Sequence, residues 1–474
     1  MPRLLVGALC AASLCACTLE PAYHRPPAPV TASWPNPASG TAATGVSDPA
    51  PVGPAHTASP PAPLAADMDW RTFFKDPVLQ NLIDLALKNN RDLRVAALNV
   101  AQYEAQYRIA RAALLPAVVA GGTVDNYRVI GYTTKESSVT LGETSWEIDF
   151  FGRLRSLKHQ ALEHYLATDA SRASTRISLI ATVATDYFQW LADQSLLEVA
   201  TATADADRQT YEVNLQSEEI GNASMQPVRQ AELEYASVRS SLIADRRAVQ
   251  QDVNNLVAVI GCPLPEGLLH SQSLDAAQLP PVDAGIPSDL LVRRPDILEA
   301  EHTLQAANAN IGAARAAFFP SIQLTTAVGT SSVALSGLFK AATGAWTFEP
   351  TVTLPIFNYG NNQATLDAAK IQTQIEVANY DKAIQTAFKE VANALAGRAT
   401  YVEQVATDRE YVSAATHYNE LSQARYRTGT DNFLVLLDAE RTLYAARQQL
   451  INDRFAELAN LITLYKALGG GWRA

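Results

Sequence analysis

The sequence predicts an internally duplicated α+β membrane protein whose single chain carries too few strands to close a barrel. Three observations predict it. Asp92, Arg111 and Pro116 recur 204 residues later as Asp296, Arg315 and Pro320, whereas Gly152, Gly221, Glu232 and Gly261 recur 208 later as Gly360, Gly429, Glu440 and Gly469. The two repeats are therefore in register apart from one length difference between Pro116 and Gly152. Apolar residues at helical spacing run for roughly fifty residues in each repeat, several times an ordinary globular helix. Each repeat also holds two segments that alternate apolar and polar residues with the two-residue period of strands.

The chain has 474 residues, a net charge of −11, 48% hydrophobic and 18% charged residues, which disfavours nucleic acid as a partner. Residues 1–16 have the charge and apolar length of a secretory signal, too short to span a bilayer. The stretch Leu14-Cys15-Ala16-Cys17 resembles the lipobox of bacterial lipoproteins, with Cys17 as the lipidated, palmitate-bearing residue. Cys10 and Cys15 fit worse, because each follows a Leu directly. Thr18 after the Cys points, by the same resemblance, to the outer membrane. Residues 17–67 are rich in Pro, Ala, Ser, Thr and Gly and read as an extended tether that cannot bury a core.

The first repeat is expected at 68–261, an inter-repeat connection at 262–286 and the second repeat at 287–474. Between Leu79 and Leu115 the residues Leu82, Leu85, Ala86, Leu93, Ala96, Ala97 and Val100 keep helical spacing. A longer run spans Leu154 to about Thr203, and its partner spans Asn362 to about Asp408. Fifty helical residues would reach about 75 Å. Charges such as Lys158, Glu163, Asp169, Arg172 and Asp186 exclude membrane-spanning helices. A hollow helical wall and an ordinary long bundle use the same Ala-rich seams.

The strands discriminate. Trp346, Phe348, Pro350, Val352 and Leu354 alternate with Thr347, Glu349, Thr351 and Thr353, and Trp146, Ile148 and Phe150 alternate with Ser145, Glu147 and Asp149. Hairpins are expected at about 118–151 and 321–357. Trp146, Ile148, Phe150, Trp346, Phe348, Val352 and Leu354 are the expected lipid-facing residues. Four strands leave sheet edges that lipid does not tolerate, so chains must pool them. Two chains supply eight strands and three supply twelve, and only the wider barrel has room for more than its own side chains.

The runs Ile286–Ile297, with Arg293-Arg294-Pro295-Asp296 inside it, Ala306–Pro320, Tyr426–Leu434 and Leu464–Trp472 resemble the signature of TolC-like outer membrane efflux lipoproteins of the OprM/NodT type. The resemblance covers nearly everything after the signal. It implies a homotrimer with a 12-stranded transmembrane β-barrel, continuous with a long α-helical periplasmic barrel that docks on a membrane-fusion adaptor and an RND-type inner membrane pump. It also implies a passive exit duct for drugs and other small amphiphiles. By the same resemblance, charged residues near the helix reversal are expected to form a gate: the acid Glu410 first, with neighbouring Asp408, then the basic Arg398, and Asp205 and Asp207 in the first repeat.

Enzymatic readings find no support in the sequence. The 7 His show no His-x-x-x-His spacing, and neither a phosphate-binding glycine loop nor a nucleophile elbow is present. No cofactor and no bound metal is expected. Met occurs only at positions 1, 68 and 225, which makes a Cu(I) pathway less favoured. The alternatives are an exit duct for metal ions or a secreted polypeptide, and a lipid-anchored coiled-coil scaffold without a pore.

Overall fold

A computed structural model describes residues 18–31, 33–34, 64–270, 273–285 and 287–471. Cys17 and residues 1–16 lie outside them, as does Trp472. The elements in chain order are helices α1 (Trp70–Phe73), α2 (Pro77–Asn89) and α3 (Arg91–Ala112), strands β1 (Val119–Val129) and β2 (Tyr132–Ile148), and helices α4 (Arg153–Glu219) and α5 (Met225–Ile260). The second repeat follows with α6 (Leu290–Arg293), α7 (Pro295–Ala316), β3 (Ser321–Ser332), β4 (Gly344–Thr353), α8 (Asn361–Arg427) and α9 (Phe433–Ala467). Of the described residues, 18–28, 97–171 and 296–383 form one compact unit, and 29–31, 33–34, 64–96, 172–270, 273–285, 287–295 and 384–471 form another.

The first unit holds one antiparallel sheet in the order β1-β2-β3-β4, so β1 and β4 are both edges. The first hairpin turns on Ile130 and Gly131, both at positive φ, as a two-residue loop of that hand requires. A bulge separates two ladders on β2: Glu143 pairs with Thr326, but Trp146 pairs with Leu324. Ser145 takes φ 62 there, and its N–H donates to Thr325 Oγ1 at 3.1 Å. The extra residue switches parity, bringing Leu141 and Val139 onto the face that carries Trp146 and Ile148. Rows such as Ile148–Ile322–Val352 and Leu141–Val328–Trp346 therefore share one apolar face. The other face carries Thr123 and Ser138, joined through their hydroxyls at 2.8 Å, with Thr325, Thr347 and Glu349 in the same alternation.

Residues 18–28 form no helix or strand, yet they are held on α4 and α7. Glu301, almost fully buried, accepts two hydrogen bonds from Arg25, at 2.8 and 2.7 Å, and one from Tyr23. Asn308 and Arg315 donate to the carbonyls of Pro21 and Leu19. Glu20 binds His159, which also reaches Glu163, and Glu163 binds His302. Composition does not announce these anchors, because two charged residues and a tyrosine are enough to hold a segment that buries no core of its own.

In the second unit α1 packs against the C-terminal end of α9, and α2 packs against α5. Phe73 stacks on Tyr465 with ring centroids 4.1 Å apart, and the Tyr465 hydroxyl donates to the Met68 carbonyl. Full burial of Leu79, Leu82 and Ile83 contributes about 1.5–3 kcal/mol each. The apolar run predicted from Leu79 to Leu115 is two helices, broken where the Asn90 side chain caps Leu93 N and donates to the Val259 carbonyl. The duplication repeats this contact: Arg294, 204 residues on, donates to the Ala467 carbonyl, 208 beyond Val259. Gly261 and Gly469 close against the backbones of Asn89 and Arg293, where an added Cβ would lie 2.7 and 2.6 Å from the carbonyl oxygens.

Candidate functional site

A conduit's function resides in its wall and its constriction, so the residues of interest are the sheet faces and the helix reversals. Helices α4 and α8 have 67 residues each and run without interruption to Glu219 and Arg427. The chain reverses at Gly221 and Gly429, whose φ values of 77 and 71 suit glycine. The sequence expects turns at these glycines but ends the long apolar runs, with a reversal, near Thr203 and Asp408; the structure carries both helices unbroken past those points, because nothing in 361–427 stops a helix before Gly429.

This relocation changes what the predicted gate residues touch. Asp408 is buried, accepts from Gln449 at 3.0 Å and faces Asp453, and burial followed by that second carboxylate raises its pKa. Asp207 is buried as well. Arg398 donates to the Val282 carbonyl at 3.0 Å, and Asp205 is exposed beside Arg208. Glu410 is exposed, while the adjacent Arg409 pairs with Asp275. These five residues are thus not one cluster.

What sequence reasoning missed is a set of polar links at the reversal end of the second unit. Arg425 grips Asp431 with two hydrogen bonds, at 2.6 and 2.9 Å, across the α8–α9 turn. The Tyr426 hydroxyl donates to Asn214 on α4 at 2.9 Å. Arg441 on α9 holds Glu234 on α5 at 2.6 Å. Burial, reinforced by Glu234, pushes the Asp207 carboxyl up to about 7, and burial with Asp207 and Glu234 beside it raises Glu440 to about 7. The only advance signal was an acid at a helical apolar position, which spacing alone reads as a solvated charge.

Of the expected lipid-facing residues, Trp346, Phe348 and Val352 are exposed on β4 and Ile148 on β2, while Trp146 is half-buried on the same face. Phe150 and Leu354 lie just beyond the ends of β2 and β4. No described helix is long and apolar enough to cross a membrane.

A family model described as "Outer membrane efflux protein" matches residues 82–262 and 286–470. The chain belongs to the outer membrane efflux protein family. It is 47% identical to the toluene efflux pump outer membrane protein TtgC of Pseudomonas putida over 99% of this chain and 96% of that protein. It is 38% identical to the cation efflux system protein CusC of Escherichia coli, over 100% and 99% of the two chains. The open-state Neisseria gonorrhoeae MtrE outer membrane channel superposes with a TM-score of 0.84 at 38% identity, covering 96% of this chain and 99% of that one. The fold is that of this family's channels, long helices with one small sheet, and the protein is an outer membrane exit duct of an efflux system. The TolC-like resemblance of the motif runs identified this family correctly.

Proposed function

We propose that three copies pool their sheets into a 12-stranded barrel, and that the assembled duct passes small amphiphilic organic compounds delivered by an adaptor and an energised inner membrane pump. The observation that carries the reading is the sheet itself: four strands, two open edges, and an apolar face with Trp346 78% and Phe348 61% exposed in one chain. Lipid penalises unpaired strand edges by several kcal/mol per backbone group, so closure by identical copies is the physical solution. The apolar face meets lipid, and the Thr- and Glu-bearing face lines the bore. Detergent-solubilised protein should have the mass of three chains and conduct ions in planar bilayers. A monomeric, non-conducting protein would rule this out and favour the scaffold.

The organic cargo is supported by the closer identity to a toluene pump than to a cation system, and by the scarcity of Met. Sensitivity of a deletion strain to solvents and dyes but not to copper or silver tests it. Cys17 is proposed as the lipid anchor, just ahead of the segment held by Tyr23 and Arg25; metabolic acyl labelling lost in Cys17→Ser checks that. Glu410 is proposed as the ring-forming acid that attracts cations toward the axis. Asp408, which binds Gln449, Arg398, Asp205 and Asp207 are proposed to act through helix packing instead. Glu410→Ala should weaken divalent-cation block, while Asp408→Ala should leave block unchanged.

A further inference from the structure

Asp207 is 3% exposed and its Oδ2 has no hydrogen-bond partner, although Glu234 and Glu440 lie beside it. The groups facing it come from every neighbouring element: Glu234 from α5, and Glu440, Arg441 and Tyr444 from α9, with Tyr426 of α8 next to Glu440. The exposed pair Asp205 and Arg208 flanks it on α4. The Arg441 guanidinium that Asp207 faces is already committed to Glu234. The duplication shows that this packing does not need acids. Residue 415, 208 beyond Asp207, is Ala, and it packs with Leu443 and Ala446.

We propose that Asp207 and Glu440, packed beside the Glu234–Arg441 pair, form a proton-controlled latch joining α4, α5 and α9, closed while these two acids hold protons and loosened once both are ionised. The protons leave to periplasmic water, whose pH follows the medium. Each acid lies within about four helical turns of a reversal, at roughly 3.6 residues per turn, so loosening acts where the helices end. Raised carboxyl pKa values mean that the packed state binds protons more readily than the open one. Its extra stability is lost as pH rises from the ordinary carboxyl range through about 7.

Single-channel conductance of the assembled protein should rise about twofold or more between pH 5.5 and 8.5, with a midpoint near neutrality as this linkage requires. Asp207→Asn combined with Glu440→Gln keeps neutral hydrogen-bonding groups in place, and it should hold conductance at the low-pH value throughout. A wild-type protein without the step, or a double variant that retains it, overturns the latch. Should the double variant not assemble, spin labels at the exposed Leu233→Cys and Leu434→Cys, in a Cys262→Ser chain with all three acids intact, read the same event. Their separation should lengthen over the same pH interval, and an unchanged separation overturns the proposal equally.

Discussion

Helices α3 and α7 are the same 22-residue element, one in each repeat, yet one is bare and the other is wrapped. No residue of α3 is buried, and Leu98 and Ile109 are 60% and 71% exposed. In α7 Leu304, Ala306, Ala309, Ile311, Ala313 and Ala314 are buried, Ile311 and Ala314 against Ala369 and Leu366 of α8, and polar side chains clasp residues 19–25. The position equivalent to Leu98 is His302, which binds Glu163, and that equivalent to Ile109 is Ala313. Duplication therefore preserved the helix but not its cover. The wrapped copy is satisfied within its own chain, whereas the bare copy leaves an apolar stripe uncovered in the single chain.

The most severe way to break the comparison is a charge at matched sites. Ala313→Asp should cost more than about 4 kcal/mol and abolish folding, because an unpaired carboxylate is buried within the chain. Leu98→Asp with Ile109→Asp should leave the chain folded but dissociate the trimer, as followed by native mass measurement; a trimer that survives would mean the stripe is never covered. Removing the clasp comes next. Arg25→Ala leaves the Glu301 carboxylate buried without its bidentate partner and should cost about 1.5–3 kcal/mol in thermal unfolding, with protease cleavage appearing in residues 18–28.

The histidine cluster on the wrapped side sharpens the contrast through pH. A hydrogen bond to Glu163 is the main cause that raises His159, to about 9, while burial opposes it. Burial alone would raise Glu163, but hydrogen bonds from His159 and His302 outweigh it and hold the carboxyl at about 2. The His159 contribution is present below its unfolded value near 6.5 and disappears as pH rises through 9; that of Glu163 is present above about 4.5 and disappears toward 2. The melting temperature should fall between pH 6.5 and 9.5, and His159→Gln should remove most of that fall. The smallest effect separates the hairpins. Ile130 holds φ 46 in the first turn, so Ile130→Asn should stabilise by about 1 kcal/mol, read as a small rise in melting temperature.

The parts of the candidate site that were legible in the sequence were those written as periodicity. Trp346, Phe348 and Val352 announce a face because strands alternate strictly, and Gly221 and Gly429 announce turns because only glycine adopts that backbone cheaply. Asp207 and Asp408 were not legible in the same way, since an acid on a helix looks identical whether its neighbour is water or another helix. The bulge at Ser145 was hidden too, because one inserted residue reverses which parity of β2 is apolar without marking the sequence at that point.

By itself the sequence determined the duplication, the two hairpins, the uninterrupted long helices and the need for other copies, all of which follow from local spacing and from the penalty for unpaired strand edges. Only the tertiary structure decided how far past Asp205 and Asp408 the long helices run, that Tyr23 and Arg25 fasten the N-terminal segment to Glu301, which twin helix stays bare, and that Asp207, Glu234 and Glu440 meet. The physical reason is range. Periodicity reports which face of an element avoids water, but which charged group meets which other is set by the packing of residues hundreds of positions apart.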